Sequence, residues 1–325
     1  MKSGNCEELE TERMKYSAET VKDLDFLAGE DEVVHYEKKD KKQSVRYGQE
    51  LSCSRKIWDM LSPIVYFLLC MDGVTLAVLI VASLITGVRG LTIIQLMELI
   101  PWIPCLSLFL ANGITIFNQR KNYFLDQMRF GPYDQTWTMS NIILSCCLAV
   151  CIGHLWSIFI NLSELEHVFP GYAESAASSF KGQNPFLLIT ATVLLGPVAE
   201  EMIFRGMTYQ RVKNYLNSSW AVGISSLLFG ICHGNMIQFF YAVVLGVILA
   251  VLYEYSQSLL VPVLAHMATN LWAIYSENCV ILLTKIITQG KILLLTIEGV
   301  VAVVCMIVLF GNKRKVVSHQ QGKLR

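Results

Sequence analysis

Most of this chain is a succession of long apolar segments, and that succession limits the folds it can adopt. A helix of about 20 apolar residues crosses the hydrocarbon core of a bilayer, where only helices and closed barrels satisfy their backbone. The fifth and seventh segments are short, which suits helices surrounded by protein. The pattern predicts an all-α, polytopic membrane bundle of about eight transmembrane helices. The segments run at approximately 63–87, 95–118, 138–161, 185–204, 219–233, 237–255, 258–275 and 291–311.

Composition supports the same class and divides the chain into three regions. The sequence is 54% hydrophobic and 16% charged, whereas soluble domains carry about 25% charged residues. Residues 1–56 are rich in charge and too poor in apolar residues to build a core, so they are predicted to be a disordered cytoplasmic tail. The bundle is predicted over 57–312 and a basic cytoplasmic tail over 313–325. The formal net charge is +0, which gives no electrostatic argument for a nucleic-acid partner.

The distribution of lysine and arginine predicts the orientation of the bundle. Cytoplasmic loops are enriched in these residues, and an even number of spans places both termini on one side. Acidic residues dominate the segment between the third and fourth spans. Both termini are therefore predicted to be cytoplasmic in a multi-pass cell-membrane protein. The basic residues assigned to the second-to-third and fourth-to-fifth loops are Arg120, Lys121, Arg129, Arg205, Arg211 and Lys213.

Two adjacent glutamates at the end of the fourth apolar segment form the first polar motif, Glu200-Glu201-x-x-x-Arg205. Carboxylates at membrane depth are costly and by default indicate a functional site. Glu201 and Arg205 are spaced i, i+4, so they are predicted to pair along the helix. Glu200 then faces elsewhere, in an apolar surround that suits a general base. Pro197 removes a backbone hydrogen bond and predicts an irregular helix here.

The second motif is Phe229-x-x-x-His233 in the fifth segment. The two side chains share a helix face at i, i+4. Gly223 and Gly230 are predicted to allow a neighbouring helix to approach closely. By itself this motif is weak, because a single histidine in a membrane helix is more often structural.

The third motif is His266-x-x-x-Asn270 in the seventh segment. Asn270 shares a face with His266 and can donate a hydrogen bond to a developing oxyanion. Pro262, four residues before His266, again suggests an irregular helix. His154 in the third segment belongs to no motif and is assigned a structural role.

The three motifs together point to water activation beside a carbonyl group, and two mechanisms stay open. In the first, Glu200, His233 and His266 ligate Zn²⁺, and a second glutamate is the base. In the second no metal binds: Glu200 and His233 polarise the water, while His266 and Asn270 hold the oxyanion. The histidines lack the HExxH spacing, so the zinc mechanism rests on residue types alone.

In order and spacing, the motifs resemble those of the CAAX protease and bacteriocin-processing family, also called the Abi family. The resemblance covers approximately residues 185–275. It implies an intramembrane endopeptidase that acts on a membrane-associated peptide or protein in the lipid bilayer. In family terms Glu200 is the essential glutamate. The other site residues that the resemblance implies are Glu201, Arg205, His233, His266 and Asn270.

The interval from His233 to His266 is short, as in bacterial members of the family. The resemblance therefore implies a bacterial role: peptide or bacteriocin processing, self-immunity or regulation of membrane proteins. The alternative from another class is a non-catalytic immunity or regulatory scaffold that retains the motifs. A proton-coupled transporter would also place Glu and His in helices, but the chain lacks a matched pair of broken helices.

Overall fold

The structure of the protein is a computed structural model that describes residues 52–87, 102–130, 138–163, 183–286 and 290–322. Residues 1–51, which make up most of the predicted tail, lie outside the described residues. The chain divides into two compact units, Met1–Asp59 and Met60–Arg325, and the helical bundle belongs to the second.

Every regular element among the described residues is helical, which confirms the predicted fold class of an all-α bundle with eight helices. Their bounds follow the predicted segments most closely for the third, fifth and sixth segments. The helices are α1 (Cys53–Thr86), α2 (Ile103–Phe130), α3 (Met139–Leu162), α4 (Pro185–Tyr215), α5 (Ser218–Ile231), α6 (Met236–Ser256), α7 (Leu260–Ile286) and α8 (Gly290–Gly322).

Five of these helices, α1, α3, α4, α6 and α8, are long and apolar enough to cross a membrane. Helix α5 is apolar but short, as predicted for a helix enclosed by protein. Membrane crossing by α2, α5 and α7 stays a prediction. Part of the predicted second span, 95–101, lies outside the described residues.

Several charged residues assigned to loops lie within helices instead, and that part of the sequence prediction is wrong. Helix α2 continues to Phe130 and α4 to Tyr215, so both are longer than their apolar segments. Helix α8 likewise extends to Gly322, into the predicted basic tail. Buried partners account for the extension of α4, since Arg211 donates to Asp126 of α2 at 2.8 Å. The misassigned residues are Arg120, Lys121 and Arg129 in α2, and Arg205, Arg211 and Lys213 in α4.

Helices α2 and α4 lie side by side and run in the same direction. Gln127 of α2 donates to the carbonyl of Gly206 at 2.9 Å. Ten positions earlier on α4, Gly196 lies beside Asn112 of α2. One helix, α3, connects α2 to α4. A chain that crosses a bundle back and forth places every second helix in the same direction, as observed here.

Two apolar clusters hold the bundle together on either side of α4. One joins α3, α6, α7 and α8 through residues such as Leu148, Leu249 and Cys305. The other joins α1, α4, α5 and α6, with Phe204 and Phe229 in edge-to-face contact at its centre. Helix α4 therefore carries its polar motif inside protein, with neighbours on several sides.

Candidate active site

Helix α4 is irregular on both sides of the two glutamates. A π-helical stretch, Ile189–Leu195, precedes the α-helical turn Gly196–Glu201, and a second one, Met202–Tyr209, follows it. Pro197 has no N–H to donate, and the preceding Gly196 N–H bonds to the carbonyl of Ala191, five residues back. The predicted irregularity at Pro197 is confirmed, and its form is the wider π turn.

The predicted pair of Glu201 and Arg205 is present and completely buried. Arg205 Nη1 donates to Glu201 Oε1 at 2.9 Å, and both side chains are 0% exposed. Arg205 Nη2 also donates to the carbonyl of Gly246 on α6, at 2.9 Å. The guanidinium lies over the Phe229 ring, 4.6 Å from its centre. The positive charge of Arg205 has lost its contact with water, so the carboxylate, the carbonyl and the aromatic ring together offset the free-energy cost of its burial.

His266 links the two glutamates. Its Nδ1 lies 2.9 Å from Glu201 Oε1, and its Nε2 lies 3.8 Å from Glu200 Oε2. A carboxylate oxygen only accepts, so Nδ1 carries the proton and donates it to Glu201. The side chain of His266 is 3% exposed, whereas that of Glu200 is 24% exposed. Glu200 is therefore the carboxylate that water can reach, and Glu201 orients the imidazole beside it.

His233 lies just past the end of α5, not within the helix as predicted. The helix ends at Ile231, and Gly234 then takes a left-handed conformation with a φ of 66°. His233 Nδ1 donates to the carbonyl of Phe229 at 2.7 Å, so it caps the helix end. In the neutral ring Nε2 then carries a lone pair.

The Phe229 ring brings the second motif against the other two. Its centre lies 4.8 Å from the ring of His233 and 5.7 Å from that of His266, both in edge contacts. Arg205 covers the same ring. One aromatic side chain thus fixes both histidines and the arginine.

Asn270 lies one turn after His266 and binds α4. Its Nδ2 donates to the carbonyl of Thr192, in the first π-helical stretch, at 2.9 Å. The amide keeps a second N–H. Helix α7 begins at Leu260, so Pro262 lies in its first turn, where proline is tolerated. The prediction of an irregular helix at Pro262 is wrong for that reason.

The match to known proteins falls on the same part of the chain. Residues 182–272 match the family of type II CAAX prenyl endopeptidases, Rce1-like. This stretch contains all seven residues of the three motifs. The predicted resemblance to CAAX proteases is confirmed, and with five candidate spans the chain is a multi-pass membrane protein.

A Bacillus subtilis (strain 168) protein, YdiL, which is named a membrane peptidase, is 31% identical over 91 residues. The matched stretch is 28% of this chain and 37% of that protein's length. The chain therefore matches little more than a third of its relative, and that relative is bacterial, in line with the predicted bacterial member. No solved structure matches the chain significantly.

The three motifs bring together fewer ligands than a zinc site needs. Zinc takes three or four ligands at about 2.0–2.3 Å. Among the side chains that the structure describes, no group of three or more His, Cys, Asp and Glu could hold a metal ion. Of the candidates Glu200, His233 and His266, Glu200 Oε2 and His266 Nε2 lie 3.8 Å apart. The bonds from Nδ1 of His233 and His266 to Phe229 and Glu201 leave Nε2 of each ring as the atom that a metal would meet.

His154 lies outside the candidate site and has its own carboxylate partner. Its Nδ1 lies 2.8 Å from Oε1 of Glu298 on α8, and its ring meets the edge of Trp272 at 5.5 Å between centres. The pair joins α3 to α8 and touches none of the three motifs through these contacts.

One residue outside the three motifs reaches the site, and sequence reasoning missed it. A Cβ on Gly196 would lie 3.7 Å from Asn112 Nδ2 of α2 and 3.8 Å from Glu200 Oε1. The signal that could have found it is the helical spacing of polar residues along α2. These residues, all buried in the structure, are Asn112, Thr115, Gln119 and Asp126.

Proposed function

We propose that the protein is an intramembrane endopeptidase that hydrolyses a peptide bond in a membrane-associated peptide or protein. The observation that carries the proposal is the arrangement of the two glutamates around His266. Glu200 is 24% exposed and lies 3.8 Å from His266 Nε2. The fully buried Glu201 holds the other nitrogen of that ring. A reachable base beside an oriented imidazole is what hydrolysis of an amide requires.

In the proposed reaction Glu200 accepts a proton from a water molecule, and the water oxygen attacks the carbonyl carbon of the substrate. The lone pair on Nε2 of His233 helps to orient that water. Collapse of the tetrahedral intermediate breaks the carbon–nitrogen bond, and the proton on Glu200 passes to the leaving amine. Carboxylic acid and amine products then account for every atom of the water.

The oxyanion of the intermediate is stabilised by His266 and Asn270 in this proposal. His266 donates to the oxyanion from Nε2 when that nitrogen carries a proton, while its Nδ1 stays bonded to Glu201. Asn270 donates through the N–H that Thr192 does not use. Donors of this kind are worth on the order of 10²–10³-fold in kcat.

The reaction is proposed to be metal-free. The observation that supports this proposal is that no group of three or more His, Cys, Asp and Glu among the described residues could hold a metal ion. Within the family match, the bacterial role is proposed to be processing of peptides or bacteriocins, self-immunity or regulation of membrane proteins.

The test is cleavage by the purified protein in liposomes. Two probes are used: a peptide ending in a farnesylated cysteine and three further residues, and an acylated, internally quenched peptide mixture. We expect the wild type to cleave at least one of them and Glu200→Gln to cleave neither. The matched control is Glu298→Gln, which changes a buried glutamate elsewhere and keeps a hydrogen-bonding group for His154. Cleavage by Glu200→Gln at the wild-type rate, or no cleavage by the wild type, contradicts the proposal.

Both termini are proposed to be cytoplasmic, on the support of the basic residues near the C-terminus. Fusions of the C-terminus to alkaline phosphatase and to a fluorescent protein test this in bacterial cells. We expect fluorescence and no phosphatase activity. Phosphatase activity would place the C-terminus outside.

A further inference from the structure

Asn112 is a buried amide with an unused polar atom. Its side chain is on α2, in the half of that helix beside the first π-helical stretch of α4, and it is 2% exposed. Its Oδ1 has no hydrogen-bond partner among the described residues. Other amides of α2 are bonded: Asn122 donates to Gln119 and Gln127 to Gly206, each at 2.9 Å. An asparagine with a purely structural role would be expected to form hydrogen bonds within the protein, as Asn122 and Gln127 do.

An unpartnered buried amide has no packing purpose. It lost its hydrogen bonds to water on folding, and an apolar residue of similar volume would fill the same space without that loss. Such a group needs an explanation, and a catalytic role for the other end of the same amide is one. The question is then what the amide faces.

Asn112 faces Gly196 of α4. Three polar atoms border the place where a side chain on Gly196 would be. A Cβ there would lie 3.1 Å from the carbonyl of Ala191, 3.7 Å from Asn112 Nδ2 and 3.8 Å from Glu200 Oε1. These atoms come from the π-helical stretch, from α2 and from the proposed base. Because residue 196 is glycine, no side chain fills this place beside Glu200.

We propose that Asn112 is a further catalytic residue that positions the attacking water. Its Nδ2 donates to the water oxygen while Glu200 accepts one of the water protons, so the remaining lone pair points to the substrate carbonyl. The proposal rests on the proposed function, since it assigns a role beside the same base. It adds to the site a residue from a helix that none of the three motifs includes.

The experiment compares three variants of the full chain in the liposome assay: Asn112→Ala, Asn112→Leu and the isosteric Asn112→Asp, which removes the donor. We expect kcat to fall on the order of 100-fold in each, the loss typical of a misplaced reacting group, while KM stays near the wild-type value. Because Oδ1 has no partner, Asn112→Leu should unfold at the wild-type temperature or above it.

The matched control is Thr208→Val. Thr208 is 0% exposed and its Oγ1 also lacks a partner among the described residues, but it lies two turns beyond Glu200. This variant should keep the wild-type kcat and gain similar stability. A lower unfolding temperature for Asn112→Leu than for the wild type overturns the proposal, whatever the activity.

Two further outcomes separate the proposals. If Glu200→Gln is inactive and Asn112→Ala is as active as the wild type, the role of Asn112 is wrong and the endopeptidase stands. If Glu200→Gln is fully active, the endopeptidase assignment fails and the role of Asn112 fails with it.

Discussion

Glu201 accepts a hydrogen bond of 2.9 Å from His266, a residue 65 positions further along the chain. The same oxygen accepts from Arg205. One carboxylate oxygen therefore holds an imidazole in position and balances a buried guanidinium. The two adjacent glutamates therefore differ in position. Glu201 is buried inside the bundle and orients His266, whereas Glu200 is partly exposed.

Replacing Glu201 by leucine should destabilise the protein as well as inactivate it. Arg205 would be left charged and unpaired in a fully buried position, which costs about 3–5 kcal/mol. Thermal unfolding in detergent should show a clearly lower midpoint for Glu201→Leu, whereas Glu200→Gln should keep the wild-type midpoint. Equal midpoints for the two variants would mean that the buried pair contributes little to stability.

The same pair of glutamates distinguishes an enzyme from a scaffold. If the protein confers protection against a bacteriocin in cells, an endopeptidase should lose that protection in Glu200→Gln while the protein still accumulates in the membrane. A non-catalytic scaffold should retain it. Survival in a bacteriocin titration, with protein level measured by immunoblot, decides between the two classes.

Gly196→Ala should lower activity without unfolding the protein. The new methyl group would enter the space bordered by Glu200 and Asn112, and its tightest contact, 3.1 Å, is with the Ala191 carbonyl. The control is Gly223→Ala on α5, where a Cβ meets nothing within 4 Å. That change should stabilise the helix by about 0.5–1 kcal/mol and keep the activity. Full activity in Gly196→Ala would exclude a catalytic water in this space.

Removing metal should not change the rate of cleavage. The described residues offer no group of three ligands, so treatment with a zinc chelator should leave kcat unchanged, and purified protein should contain far less than one zinc per chain by elemental analysis. Loss of activity with a chelator, restored by added Zn²⁺ alone, would contradict the metal-free mechanism.

His154→Ala should affect stability and not chemistry. It removes a bond of 2.8 Å to Glu298, whose side chain is 7% exposed and would lose its partner. Leaving a buried charge unpaired costs about 3–5 kcal/mol, so the unfolding midpoint should fall while kcat per folded molecule is retained. A selective loss of kcat would assign His154 to the site.

The sequence predicted the helices from their apolar content, but it could not predict where α2 and α4 end. Their final turns are polar, and they stay helical because residues from distant parts of the chain satisfy them, as Asp126 does for Arg211. Of the two glycines predicted to allow close packing, Gly230 does so, since a Cβ would lie 2.5 Å from Val243, and Gly223 does not.

The site was predictable as three motifs but not as a network. Spacing along one helix gave the Glu201–Arg205 pair, because both partners lie on the same face. The bond from His266 to Glu201 depends on how two helices pack, and that information is not local. Asn112 was missed because the helical spacing of polar residues along α2 indicates a buried polar face but not which residues that face meets.

The π-helical stretch Ile189–Leu195 has a consequence for how this segment tolerates insertions and deletions. A π turn holds an extra residue compared with an α turn, so removing one residue from the stretch would let it relax into a regular α-helix. With Asn270 anchoring the stretch at Thr192, that deletion would leave the phase of the following turn nearly unchanged, whereas removing one residue between Gly196 and Glu200 would rotate Glu200 by about 100°. Glu200 would then turn away from His266. In this helix the number of residues, and not only their identity, sets the phase of the catalytic carboxylates.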